Sequence, residues 1–575
     1  MSDITTRIHA LPTKKRELLA QLLKKKKASK KSQEKPKPEV AASPPSLQVN
    51  QDQYDVIILG GGLAGLTLAR QLKQARPETT VLVVEKRQHP VPEAAFKIGE
   101  STVEGGAYYF GEILGMKRHL RDKQLLKIGL RYFFPQGNND DIAKRVELGP
   151  FTTLPQPSYQ LDRGRFENVL VSENRKLGIV FWDGCKVESV SLDASTWHSV
   201  TLSRDASQHT HHTIKARWVV DASGRVGLLK RQLGLAKPVC HDVNSAWFHV
   251  NEPIDLEAWS DRPTWRKRVF TGLRRLSTNH LMGEGYWVWL IPLASGSTSI
   301  GIVADHSIHP FKQINRRERA LSWLRKHEPQ CAEAISEDKI LDFRVLRRYA
   351  HRCKQVFSTD RWCITGEAGV FTDPFYSLGS DLIAISNIFI TNLIVRELAG
   401  ENIAPHVEFC NHFYLDLIFD MMFSQFQNQY AAMGNPQLMI AKVVWDFAIY
   451  WSICALLIFH PQHLCDLDFM LSIEEDLRRW QALQTKMQTF FREWHTQEQP
   501  EFSNTHVDYG NIDFMYQLQS DLAAGLTGPE LKKQIAKNVS LLEKIASLMQ
   551  GGATGTTTCT DFQTNLSQIW LDATS

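Results

Sequence analysis

The segment from Val56 to Glu85 does most to limit what this chain can fold into. A β-branched run, Val56-Ile57-Ile58-Leu59, enters Gly60-Gly61-Gly62-Leu63-Ala64-Gly65; a helical stretch follows to Ala75, and a second apolar run from Val81 to Val84 ends at Glu85. The spacing predicts a strand, a tight turn, a helix and a parallel strand, with Gly60-x-Gly62-x-x-Gly65 at the turn. Glycines there let backbone N–H groups and the helix N-terminus approach a pyrophosphate, while an acid at the end of the second strand takes ribose hydroxyls. The expected cofactor-binding residues are therefore Gly60, Gly62, Leu63, Ala64, Gly65 and Glu85. A bare turn with nothing bound is the competing reading, and the register of strand, helix and acid disfavours it.

Two later segments suit a flavin better than a nicotinamide. Val219-Val220-Asp221-Ala222-Ser223-Gly224 runs a strand into a glycine turn, and Cys363-Ile364-Thr365-Gly366-Glu367-Ala368-Gly369 precedes Asp373-Pro374. They resemble the late segments of glutathione-reductase-type and hydroxylase-type FAD folds, which close over the dinucleotide. That resemblance adds Asp221, Gly224, Gly366 and Asp373 to the cofactor set and implies a helix facing the flavin, with Ser380 as its expected N-cap. Taken alone, each segment is only a strand-to-turn transition.

Composition removes other classes. With 575 residues, 43% hydrophobic and 22% charged, most of the chain folds. Residues 1–40 carry 12 Lys and Arg against 4 Asp and Glu, so the net charge of +5 comes from the tail and the body is near neutral, which argues against a nucleic-acid partner. Nine scattered cysteines without C-x-x-C fit a reducing cytoplasm. The longest greasy run, Phe447 to Phe459, is shorter than the ~20 residues of a transmembrane helix, so none is expected, and no signal peptide is read. Strands are expected at 179–183, 186–192, 199–203, 217–221, 286–292 and 298–303. The expected organisation is a basic, amphipathic then disordered extension (1–50), an FAD-binding domain (51–400) with inserted substrate segments at about 105–158 and 236–350, a helical C-terminal part (401–550) and a low-complexity tail (551–575). The fold class is α/β, a glutathione-reductase/hydroxylase-type FAD-binding fold with a mixed-sheet substrate region and that helical part.

Lys97-Ile98-Gly99-Glu100-Ser101 and Gly285-Tyr286-Trp287-Val288-Trp289-Leu290-Ile291-Pro292 carry the chemistry. A lone Lys is ordinarily a solvated charge and paired Trp on a strand are ordinarily core. Together with the glycine motif, however, the lysine loop and the W-x-W-x-I-P stretch resemble the FADH2-dependent halogenases over about residues 54–460. Segments 277–283 and 373–381 resemble the phenol-type branch associated with nonribosomal peptide and polyketide pathways. The resemblance implies that FADH2 and O2 form a C4a-hydroperoxide, that chloride or bromide attacks it, and that hypohalous acid travels a tunnel to the substrate. It makes Lys97 the expected catalytic ammonium, puts the halide on the amides of Leu378 and Gly379, and makes Trp287, Trp289 and Pro292 the flavin and tunnel wall. Tyr376 and Ser377 complete the expected catalytic set.

Tyr376 stands where the tryptophan-halogenating branch has a Glu, which points away from free indole and toward a phenolic ring. A single glycine motif, committed to FAD, implies a separate flavin reductase. The substrate is expected to be a phenolic small molecule or a carrier-tethered unit, with a nonribosomal peptide synthetase as a partner suggested by helical linker-like residues 11–19. The alternatives are an FAD-dependent aromatic monooxygenase, a halogenase acting on another activated carbon, and a non-catalytic flavoprotein module. His209, His211 and His212 read as a polar hairpin rather than a metal site, and no metal is expected.

Overall fold

The computed structural model describes residues 52–93, 97–204, 211–496 and 505–553. The expectations for the N-terminal extension, His209 and nearly all of the C-terminal tail lie outside these residues. Strand β1 (Gln53–Leu59), helix α1 (Leu63–Ala75) and strand β2 (Val81–Val84) form the expected parallel unit, with Val56 beside Val81 and Leu59 beside Val84. The chain then leaves this sheet through the short helix α2 (Glu104–Tyr108) and strands β3 (Leu125–Lys127), β4 (Leu130–Phe133), β5 (Glu147–Leu148) and β6 (Ser158–Gln160). Helix α3 (Arg163–Lys176) and strand β7 (Val180–Trp182) bring it back alongside β2.

Strands β8 (Lys186–Ser191), β9 (His198–Ser203) and β10 (His211–Asp221) form an antiparallel meander, and β10 pairs parallel with β1. His211 and His212 sit at the start of β10, on the hairpin expected for them. A second, eight-stranded mixed sheet is built from β11 (Val243–Val250), β12 (Thr278–Gly283), β13 (Tyr286–Pro292), β14 (Thr298–Asp305) and β15 (Arg344–Arg347) in the order β15-β11-β14-β13-β12-β4-β5. Its last edge is the strand His506–Val507. Strand β16 (Trp362–Ile364) returns to β10 in the first sheet.

Helix α4 (Gly379–Leu398) packs on α1 beneath the first sheet. The C-terminal part adds α5 (Pro436–Ile449), α6 (Glu474–His495), strand β17 (His506–Val507) on the edge of the second sheet beside β5, α7 (Asp513–Asp521) and α8 (Gly528–Ala553). Helix α8 runs past the boundary expected at residue 551. One further expectation is corrected. The helical stretch Pro436–Phe459 is long and apolar enough to cross a membrane, but its apolar window is wholly buried inside the molecule, where it forms core.

Candidate active site

The turn after β1 can close only with glycine. Gly60 has φ +124°, and a Cβ there would run into the Ala222 carbonyl, while a Cβ at Gly65 would strike the Gly60 carbonyl. Gly62 instead faces open space, and it caps α1 without any side chain bonding the first-turn amides. Those amides are left for an anionic ligand, which fits a pyrophosphate. Glu85 accepts the Gly61 N–H at 2.8 Å and the Arg87 N–H at 2.8 Å, which fixes the acid at the tip of β2. Gly366, at φ +60°, lies so close to Ala64 that a Cβ would come within 2.8 Å of it.

From Leu63 a cleft opens between the two sheets. Trp287, Trp289, Gly366, Asp373, Ser377 and Gly379 are among its lining residues, as the sequence leads one to expect. The two indoles lie 5.8 Å apart, and each is tied: Trp287 Nε1 donates to Tyr430 Oη at 3.0 Å and Trp289 Nε1 to Ser299 Oγ at 3.1 Å. Pro292 ends β13 and does not line the cleft; its neighbour Ile291 does. Asp221 is not on the cleft either. Its oxygens accept from Ser223 N at 2.9 Å and Leu229 N at 2.7 Å, so the carboxylate is spent on the turn that carries Gly224 at φ +63°. Asp373 reaches the cleft with its backbone segment, but its Oδ2 accepts from Tyr349, Tyr430 and His241, which makes it a support for Trp287 rather than a free ligand.

The helix expected to begin at Ser380 begins one residue earlier, with Leu378 as the cap residue. Ser377 adopts φ +62°, turning the chain before Ser380 can cap it, and Ser380 packs against Gly106 instead. A left-handed residue followed by helical Leu378 makes a backbone concavity of the kind that binds small anions, and it adjoins the unbonded amides of a helix N-terminus.

This turn is also a partition. Ser377 and Gly379 face the cleft, whereas Tyr376 and Leu378 face a narrow inner cavity lined also by Leu130, Leu154, Phe447 and Trp451. The Tyr376 hydroxyl donates to Asp446 Oδ2 at 2.7 Å, and Lys442 Nζ meets the same oxygen at 2.6 Å.

Lys97 does not line either cavity. Its Nζ meets Glu167 Oε2 at 2.5 Å, and Glu167 also takes Arg163 at 2.8 Å, so Lys97, 25% exposed, pins its loop to α3. A second lysine, which the sequence did not single out, is Lys127, at the end of β3. It is 4% exposed and lines the inner cavity, donating to Ser101 Oγ at 2.9 Å, whose residue lines the cleft, and to the Thr102 carbonyl at 2.7 Å. Burial pushes its ammonium down to about 7. His280, likewise not singled out, lines the cleft; burial pushes it down to about 3, so it stands neutral.

The comparisons agree with this geometry. The FAD binding domain family matches residues 53–380. The flavin-dependent halogenase chlA of Dictyostelium discoideum is 27% identical over 449 residues, 72% of this chain and 72% of that protein. The 1H-pyrrole-2-carbonyl-(peptidyl-carrier protein) chlorinase of Pseudomonas fluorescens is 25% identical over 352 residues, 58% of this chain and 73% of its own length. Among solved structures, halogenase PltM in complex with phloroglucinol and FAD shares the fold with a TM-score of 0.60 at 20% identity, covering 86% of this chain and 96% of that one. A glycine turn fitted to a dinucleotide, a cleft walled by two tryptophans and these relatives lead to one conclusion: the chain belongs to the FAD-binding-domain family and, within it, to the flavin-dependent halogenases.

Proposed function

We propose that this enzyme halogenates an electron-rich phenolic ring in its inner cavity, with Lys127 as the ammonium that delivers the halogen. The observation that carries this reading is the place of Lys127, buried in the wall between cleft and cavity with two of its three protons spent on Ser101 and Thr102. Gly60, Gly62, Gly65 and Glu85 hold the dinucleotide end of the flavin; Trp287 and Trp289 cover its ring and keep organic substrate from it. Bound as FADH2, with O2 and chloride or bromide, the flavin supplies hypohalous acid. The amides of Leu378 and Gly379 hold the halide. The third Lys127 proton hydrogen-bonds the oxygen of hypohalous acid and polarises the halogen toward the ring.

A phenol suits the inner cavity because Leu130, Leu154, Phe447 and Trp451 offer apolar and aromatic wall to the ring, while Lys127, Glu104 and Asp446 supply polar groups for its hydroxyl. Reduced flavin comes from a separate reductase. The test is to give the purified protein FADH2, O2, chloride and a 4-alkylphenol. Lys127→Met is expected to lose at least about 100-fold in halogenated product, in the range of a lost electrostatic or proton-donating group, while still binding FAD and oxidising FADH2. A Lys127→Met protein that halogenates at the wild-type rate would exclude this role.

A further inference from the structure

Glu104 opens α2 at the edge of the inner cavity and is 5% exposed. Trp451 Nε1 donates to its Oε2 at 3.0 Å, and Gln519 Nε2, reaching in from α7, donates to its Oε1 at 2.9 Å. Each oxygen keeps a further lone pair. Lys127 lines the same cavity and its charge favours the Glu104 carboxylate, yet its hydrogen bonds go to Ser101 and Thr102 rather than to Glu104. Burial pushes the Glu104 carboxyl up, which makes its carboxylate a stronger proton acceptor than an exposed Glu, and the two wall donors hold it in place. A buried carboxylate with unspent lone pairs is costly unless the occupant of the cavity brings a donor.

We propose that Glu104 is a catalytic residue that accepts the hydrogen bond of the substrate hydroxyl and takes its proton, making the cavity selective for phenols over their O-methylated counterparts. This rests on the inner cavity being the substrate site, as proposed above. The ring carbon ortho to the oxygen attacks the halogen of hypohalous acid. A carbon–halogen bond forms and the halogen–oxygen bond breaks, so the halogen is reduced by two electrons and the ring is oxidised by two. The hydroxyl proton passes to Glu104, and the departing hydroxide takes a proton from Lys127 and leaves as water. The Lys127 amine then removes the ring C–H proton, and Glu104 returns its proton to the phenolate oxygen.

The test is calorimetric titration of the FAD-loaded full-length enzyme with a 4-alkylphenol and with its methyl ether, alongside halogenation assays on the phenol. Wild type is expected to bind the phenol about tenfold more tightly than the ether, as one hydrogen bond to a charged group implies. Glu104→Gln is expected to bring the two within about twofold, because its one acceptor oxygen is already bonded by Trp451 or Gln519 and the other position becomes an NH2 that only donates. Trp451→Phe, which spares the carboxylate, should keep the preference. Equal binding by wild type, a preference surviving in Glu104→Gln, or the same loss in Trp451→Phe as in Glu104→Gln overturns the role of Glu104. Should Glu104→Gln not fold, the wild-type and Trp451→Phe titrations decide. A wild-type enzyme that yields no halogenated phenol defeats the substrate reading itself, whereas halogenation without preference defeats only the inference about Glu104.

Discussion

In the proposed function, two lysines divide the roles that the sequence assigned to one. Lys97 stands beside a glycine in a recognisable loop, which is why motif reading selects it; its partner Glu167 lies 70 residues away and carries no local signal. Lys127 does leave a trace, as a single charge inside Leu125-Leu126-Lys127-Ile128-Gly129-Leu130, where a buried cation must find partners. Removing Lys97 should therefore act on the loop rather than the chemistry. Lys97→Ala is expected to cost about 1 kcal/mol, the scale of a partly exposed ion pair, in denaturant unfolding, and to halogenate within about twofold of wild type. The pH dependence tests Lys127 directly. Its ammonium is present below about 7 and is lost as pH rises through that value, so halogenation should decline on the alkaline side. Asp381, whose charge acts on Lys127 and which burial pushes up to about 7, gains its charge over the same interval. Lys127→Arg, charged at every working pH, should flatten the alkaline decline, and Asp381→Asn should leave it; a decline unchanged in Lys127→Arg would assign it elsewhere.

Among elements, β1, α1, β2 and the tryptophan strand β13 were legible because period-two and period-3.6 patterning and the glycine turn all agree there. The start of α4 was misplaced by one residue, since a left-handed Ser377 is a tertiary choice that no cap preference announces. The inner cavity was not legible at all: Gln519 meets Glu104 across 415 residues, and only the folded chain brings α7 to α2. What fixes β13 against the helices is a hydrogen-bond chain, with Trp287 donating to Tyr430 and Tyr430 in turn to Asp373. Tyr430→Phe leaves the buried indole N–H without its acceptor and should cost about 1–3 kcal/mol in urea unfolding. A change below the error of that measurement would show that the chain does not brace the strand.

For the whole molecule, the described residues carry one dinucleotide turn, at Gly60–Gly65, and C-terminal residues such as Phe447, Trp451 and Tyr509 line the inner cavity. The enzyme alone, supplied with NADPH, FAD and chloride, should consume almost no NADPH, and adding a flavin reductase should start halogenation; stoichiometric NADPH oxidation by the chain alone would reveal a self-sufficient monooxygenase. The wall formed by residues 376–379 has a practical corollary. Because alternate residues of one short turn belong to opposite chambers, the side proposed to make the oxidant and the side proposed to choose the ring share a backbone but almost no side chains. Retargeting such a catalyst to a new aromatic becomes a matter of recarving Leu154 or Phe447, with the generator of the halogenating agent left running untouched behind the turn.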